Sequence, residues 1–153
     1  MRILAVDWGG RRIGLAISDP TGIIATALPT LTVTGRDDAL ARVTAAAEER
    51  EAERIVVGLP LTMSGQRGEA AQAAEEFATA LGLRTGLPVE TYDERLTSAL
   101  SVRRLHERGV KTGHAKGEVD AGAAAALLES YLQRLAAARG ASSGPPDPGD
   151  EGS

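Results

Sequence analysis

Three acids in this sequence are placed where they could do chemistry. Asp7 ends the apolar run Ile3 to Val6 and is followed by Gly9, Gly10, Arg11 and Arg12. Glu94 lies in TYDERLTS, between Asp93 and Arg95. Asp120 lies in EVDAGAAAALLESYL. Each also has a modest explanation. Aspartate is common in turns, where it bonds to nearby backbone. Glu94 can be a solvated acid paired with Arg95. Asp120 can be a first-turn acid favoured by the helix dipole. Along a helix, however, positions 120, 124, 127, 131 and 135 form one stripe, reading Asp, Ala, Leu, Tyr, Leu. Asp120 then shares the apolar face that packs against a sheet, where an unpaired carboxylate is costly. The dipole accounts for its place along the helix but not for its face. A bound cation accounts for both.

Carboxylates brought together repel one another unless a cation lies between them. The chain has no cysteine and only two histidines. Oxygen ligands alone point to Mg²⁺ or Mn²⁺. Such ions activate water and stabilise the departing oxygen of a phosphodiester. Residue types and spacing therefore reach metal-dependent phosphoryl chemistry, and stop there.

The elements that must position these acids follow from the apolar pattern. ILAVD reads as a strand, Gly9–Gly10 as its turn, and RIGLAISD as a second, antiparallel strand. Residues 24–33 make a third, with Pro29 suited to an edge. Residues 36–51 carry Leu40, Val43 and Ala47 at helical spacing. RIVVGLP is β-branched and apolar, as a buried parallel strand should be. LTMSGQRG reads as a loop, 69–82 as a helix, and LPVETYDE as a strand. Thr97 is placed to cap a following helix. VKTGHAKGE reads as a polar loop, and Val119 to Arg139 as the last helix. Residues 140–153 are too rich in Gly, Ser, Pro and Asp to order themselves, so the domain spans 1–139. This order predicts an α/β fold with a mixed sheet. Ligands gather at the carboxyl ends of such strands, which puts Asp7, the Gly58–Gly65 loop and Asp93–Glu94 on one rim. Neighbours on a strand face opposite ways, so only one of Asp93 and Glu94 should face the site.

Composition sets the outer bounds. The chain has 153 residues, 42% apolar but only 3% aromatic, so the core must be Leu, Val, Ile and Ala. Absence of cysteine excludes a disulfide framework and a thiolate nucleophile, and fits a reducing, cytoplasmic setting. No cationic leader with a long apolar segment is present, and no stretch is long enough to span a bilayer. The net charge of −4 weighs against a polyanionic partner. The tail, however, holds Asp147, Asp150 and Glu151 and no cation, leaving 17 cations against 18 acids elsewhere. Local cation placement then decides.

Four motifs in order, VDWGGRRIGLAISD, VVGLPLTMSG, YDERLTS and VDAGAAAALLESYL, resemble the YqgF/RuvX family. The resemblance covers about residues 1–135. That family belongs to the RNase H-like nucleases and is related to the RuvC Holliday junction resolvases. It implies a five-stranded mixed sheet, the first three strands antiparallel, flanked by helices. It also implies an endonuclease whose metal ions are held by Asp7, Glu94 and Asp120. Pre-16S rRNA 5′-end processing is the implied function, within ribosome biogenesis and on ribosomal precursor particles. Resolution of branched DNA is the alternative. A junction resolvase implies a homodimer; an RNA nuclease can be a monomer. Where the family often has Asn-Met-Asp-Gly, this chain has Thr62-Met63-Ser64-Gly65, which leaves phosphate binding by the backbone of Gly58 and Gly65. The implied strand order puts one strand between Asp7 and the Glu94 strand, so Glu94 must reach across about twice 4.8 Å.

Other residues are weighed for substrate contact. Gly9 forms part of the turn, and one of Arg11 and Arg12 reads as a phosphate contact, since guanidinium matches phosphate bidentately. Arg95 either holds the scissile phosphate or orients Asp93. Lys116 matches a basic position of the family, whereas Lys111 and His114 read as solvated loop. Trp8 either stacks on a base or packs under the turn. Two other function classes remain open. An Asp-x-Gly turn after the first strand also grips phosphate in ATP-binding proteins of the actin and sugar-kinase class, although those pair two such domains. A non-catalytic RNA-binding factor is the third reading.

Overall fold

The apolar runs become five strands of one sheet. β1 (Ile3–Gly9), β2 (Arg12–Ser18), β3 (Ala25–Thr32), β4 (Arg54–Leu59) and β5 (Val89–Asp93) stand in the order β3-β2-β1-β4-β5. The first three pair antiparallel, while β4 runs parallel to β1 and β5 parallel to β4. The helices are α1 (Arg36–Glu49), α2 (Glu69–Thr85) and α3 (Lys116–Ser142), and a 3-10 turn, Glu94–Leu96, follows β5. The structure is a computed structural model that describes residues 1–61, 65–97 and 116–142, with side chains of the last segment from 122 to 140.

Both faces of the sheet are covered, which explains the unbroken apolar runs of β1 and β4. On one face Leu4, Val6, Ile13, Leu15, Ile55 and Val57 pack against Val43 of α1 and Phe77 and Leu81 of α2. On the other, Ile3, Ala5, Ala16 and Val56 meet Ala124, Leu127, Leu128 and Tyr131 of α3. Alanine against alanine lets the helix axis lie close to the strands. α3 packs most closely on β2, β3 and β1. Ala123 lies beside Asp7, whereas the Tyr131 hydroxyl accepts a 2.9 Å bond from Arg54 Nη1 at the start of β4. α3 thus runs from the carboxyl rim of the parallel strands toward the opposite rim.

Several boundaries differ from the sequence reading. Gly9 pairs with Arg12 in the β1–β2 ladder, so the turn is Gly10–Arg11, not Gly9–Gly10. Gly10 has φ 79°, the conformation a two-residue hairpin needs at its first central position. α2 passes through Gly82 and stops at Gly86, whose φ of 73° gives a left-handed cap. Inside the helix Gly82 lies under Val89, whose Cγ2 is 3.7 Å from an ideal Cβ at Gly82. α3 begins at Lys116, within the stretch read as a loop, and runs to Ser142, three residues past Arg139. Lys116 and Glu118 are good helix formers, and the alanine run before Gly140 carries the helix over it. Pro29 sits on edge strand β3, beside a register shift between Ile13 and Leu15. Thr62, Met63, Ser64, Lys111, His114, the helix expected after Thr97 and most of the tail lie outside the described residues.

Candidate active site

The register decides which acids can meet. Ile3 and Ala5 of β1 face α3, and alternation turns Asp7 the same way. Val6 pairs with Val57, which puts Asp7 level with Gly58, and Gly58 pairs with Tyr92. Val56 and Tyr92 also face α3. Gly58 and the Glu94 side chain therefore stand on the Asp7 side of the sheet.

One strand does separate Asp7 from β5, and Gly58 is the residue of that strand at the crossing point. β5 ends at Asp93, and the 3-10 turn throws Glu94 back over β4. An ideal Cβ at Gly58 would lie 2.6 Å from Glu94 Oε1 and 3.2 Å from its Cγ. The missing side chain is the passage through which Glu94 reaches Asp7. The two carboxyl groups are hydrogen-bonded to each other. Burial pushes the Glu94 carboxyl up to about 7, helped by the charge and hydrogen bond of Asp7 and by the charge of Asp93. Two carboxylates in contact need a shared proton or a cation.

Asp7 and Glu94 border a cleft of about 230 Å³, closed by Thr97 and by Ala123, Ala126 and Leu127 of α3. Asp120 lies in α3 three residues before Ala123 and seven before Leu127, on the helix face that lines the cleft. Its side chain is outside the described residues. Among the described residues no three acids or histidines form a cluster. The described donors number two, both carboxylates, an all-oxygen set that fits a hard divalent cation. α3 starts at Lys116, so Asp120 is its fifth residue, beyond the first turn where the dipole acts. The stripe proposed for the helix holds where it is described: Ala124, Leu127 and Tyr131 are buried, and Leu135 packs against them.

Asp93 and Glu94 part company, as expected. Asp93 accepts from Arg95 N at 2.9 Å, from its Nε at 3.1 Å and from its Nη2 at 2.7 Å. These bonds from Arg95 hold the Asp93 carboxyl below the usual range. The fork of Arg95 is thus set by Asp93. Its Nη1 lies 3.4 Å from an ideal Cβ at Gly65, whose φ is 85°. The loop before α2 therefore rests on the guanidinium. Arg11 is exposed at the hairpin tip, and its carbonyl accepts from Val33 N at 2.8 Å. Arg12 is half-buried in β2. Gly9 permits the close end of the hairpin, since a Cβ there would lie 2.9 Å from the Arg12 carbonyl oxygen. Trp8 stacks on Phe77, centroids 4.5 Å apart, on the face away from Asp7. The packing reading of Trp8 holds. Lys116 is the first residue of α3, its side chain outside the described set.

Sequence reasoning missed the role of Gly58 as a passage. A glycine after Val56–Val57 in a buried strand is itself a signal that another group approaches closely. It also missed Ser130, a buried hydroxyl amid the apolar residues of α3. A wider groove of about 640 Å³ between α2 and β5 holds none of the three acids.

Comparison with known proteins bears on the family and the fold. A family model described as "RuvX: Holliday junction resolvase" matches residues 1–134. A protein of Chloroflexus aurantiacus is 43% identical over 130 residues, 85% of each chain. One from Anaeromyxobacter dehalogenans is 44% identical over 136 residues, 89% of this chain and 99% of its own. Both are named "Putative pre-16S rRNA nuclease". The solved structure of Thermus thermophilus RuvC with a Holliday junction substrate superposes with a TM-score of 0.62 at 17% identity, covering 89% of this chain and 96% of that one. At that identity the likeness concerns the fold.

Proposed function

The chain belongs to the RuvX family, and on that premise we propose that it is a metal-dependent endonuclease that processes the 5′ end of pre-16S rRNA. The observation that carries the chemistry is the Asp7–Glu94 contact through the gap at Gly58. Asp7 and Glu94, with Asp120 from α3, would hold Mg²⁺ or Mn²⁺. Such an ion, when bound, supplies Lewis acidity toward the phosphodiester and lowers the pKa of water. The residues of the chain do the rest. β1 fixes Asp7, and the 3-10 turn fixes Glu94. The apolar wall of Ala123, Ala126 and Leu127 limits water in the cleft. Arg11, at the exposed hairpin tip, lies four residues beyond Asp7, past the end of β1. We assign it to a backbone phosphate away from the scissile one. Arg95 is set by Asp93 against Gly65, and we assign this unit, with Lys116, to the substrate strand.

RNA is preferred as substrate because relatives at 43% and 44% identity carry the rRNA nuclease name. Those names also favour a nuclease over an ATP-binding domain. Four-way DNA is the second reading, favoured by the description of the matching family model. Among the described residues no helix is long and apolar enough to cross a membrane. We place the protein in the cytoplasm with ribosomal precursor particles. The test offers a pre-16S rRNA 5′ leader and a four-way DNA junction to the purified protein with Mn²⁺ or Mg²⁺, with Asp7→Asn as control. Leader cleavage that the variant lacks is the expected result. Symmetric junction cutting would move the protein to recombination, and cleavage by the variant would remove Asp7 from the chemistry.

A further inference from the structure

The hydroxyl of Ser130 has one proton and two neighbours. The Leu96 carbonyl, at 2.9 Å, can only accept, so Ser130 donates to it. The Tyr92 hydroxyl, at 2.8 Å, must then donate to Ser130. The chain of bonds runs Tyr92 to Ser130 to Leu96, and both side chains are buried. Its direction is fixed by the carbonyl at its end.

This chain joins the two elements whose spacing the site depends on. Ser130 is on α3, the helix that contains Asp120. Leu96 closes the 3-10 turn that begins with Glu94, and Thr97 N returns to the Glu94 carbonyl at 3.1 Å. A shift of Leu96 therefore shifts Glu94. The broadest packing of α3 lies over β2, β3 and β1, while β5 meets it through the Tyr92 ring, edge-on to Tyr131 with centroids 5.6 Å apart. On the β5 side hydroxyl bonds add to this ring contact. Tyr131 bonds to Arg54 and Glu90 near the strand starts, away from the site. Ser130 bonds the turn itself.

We propose that Ser130 is a positioning residue that sets the distance between the Glu94 turn and α3, and so tunes the divalent-cation site. The proposal rests on the metal-site reading given above. Groups that orient ligands from behind change metal affinity or activity by about 10–100-fold when removed. Ser130 touches neither the substrate nor the carboxylates; it acts through Leu96.

The experiment is Mn²⁺ binding to the full chain by calorimetry, with no nucleic acid present. It compares the wild type with Ser130→Ala, Ser130→Cys, Tyr92→Phe and Asp7→Asn. Ser130→Ala is expected to weaken Mn²⁺ binding on the order of tenfold. Ser130→Cys keeps the shape and weakens the donor, so it shifts binding in the same direction and carries the test if the alanine variant does not fold. Tyr92→Phe leaves the bond to Leu96 and binds nearly as the wild type. Wild-type affinity in both Ser130 variants overturns the proposal. So does equal weakening by Tyr92→Phe, which would mark general packing. If the wild type takes up no Mn²⁺, or Asp7→Asn takes it up equally, the metal-site reading falls and this proposal falls with it.

Discussion

Gly58 and Glu94 occupy the same space: a methyl group on the glycine would stand 2.6 Å from a carboxylate oxygen of the glutamate. The first prediction follows. The clash is with the tip of a flexible side chain, so Gly58→Ala should fold and push Glu94 away from Asp7. Circular dichroism should be unchanged, and cleavage should fall about 10–100-fold, the range for disturbed ligand positioning. Full activity in this variant would mean that Glu94 works from another position.

The shared proton gives a pH signature. The Glu94 carboxyl is raised from 4.5 to about 7 by burial and by Asp7. The folded, metal-free chain thus holds a proton that the unfolded chain has lost between these values. Stability from this group is full below 4.5 and disappears as pH rises through about 7. Complete conversion of the shift would be about 3 kcal/mol, but Glu94 is half-exposed, and screening reduces the loss to about 1 kcal/mol. Urea denaturation at pH 5 and 8 in the presence of a chelator measures it. Mn²⁺ at pH 8 should restore the stability, and Asp7→Asn should shrink the pH dependence without abolishing it, since burial remains.

The third acid is tested by substitution. Asp7→Asn and Asp120→Asn should each fold and each lose cleavage and Mn²⁺ binding. Unaltered Mn²⁺ binding by Asp120→Asn would leave a site of two carboxylates and remove Asp120 from it.

Beneath β1, on the face away from the acids, Trp8 rests on the buried ring of Phe77. Phe77→Ala should cost about 3–5 kcal/mol, measured by chemical denaturation. Trp8 is the only tryptophan, so its emission should shift to the red in the variant. Nucleic acid added to the wild type should leave that emission nearly unchanged, because the ring is already stacked.

Much of this was legible in the sequence because two periodicities speak clearly. The unbroken apolar runs of β1 and β4 required a sheet covered on both faces, and the stripe from Ala124 to Leu135 gave the buried side of α3. The carboxylate pair could be proposed because acids at strand ends have little packing purpose. What stayed hidden depends on contacts distant in sequence. Gly58 looked like a phosphate-binding loop residue, since its crossing partner lies 36 positions later. Ser130 looked like an ordinary helical serine, since its bond to Leu96 spans 34 residues. Two helix ends misled, because Gly82 and Gly140 lie inside helices while Gly86 ends one.

The face of the sheet bearing Asp7 is roofed by α3, a helix far along the chain from β1. Ile3 and Ala5 wait for Ala124 to Leu132 before they are covered. Until then the nascent chain has an open apolar sheet and an unwalled cleft. Folding is vectorial, yet the cleft beside Asp7 and Glu94 gains its wall only when α3 docks. The order of synthesis thus separates the making of β1 and Asp7 from the closing of the cleft by Ala123, Ala126 and Leu127.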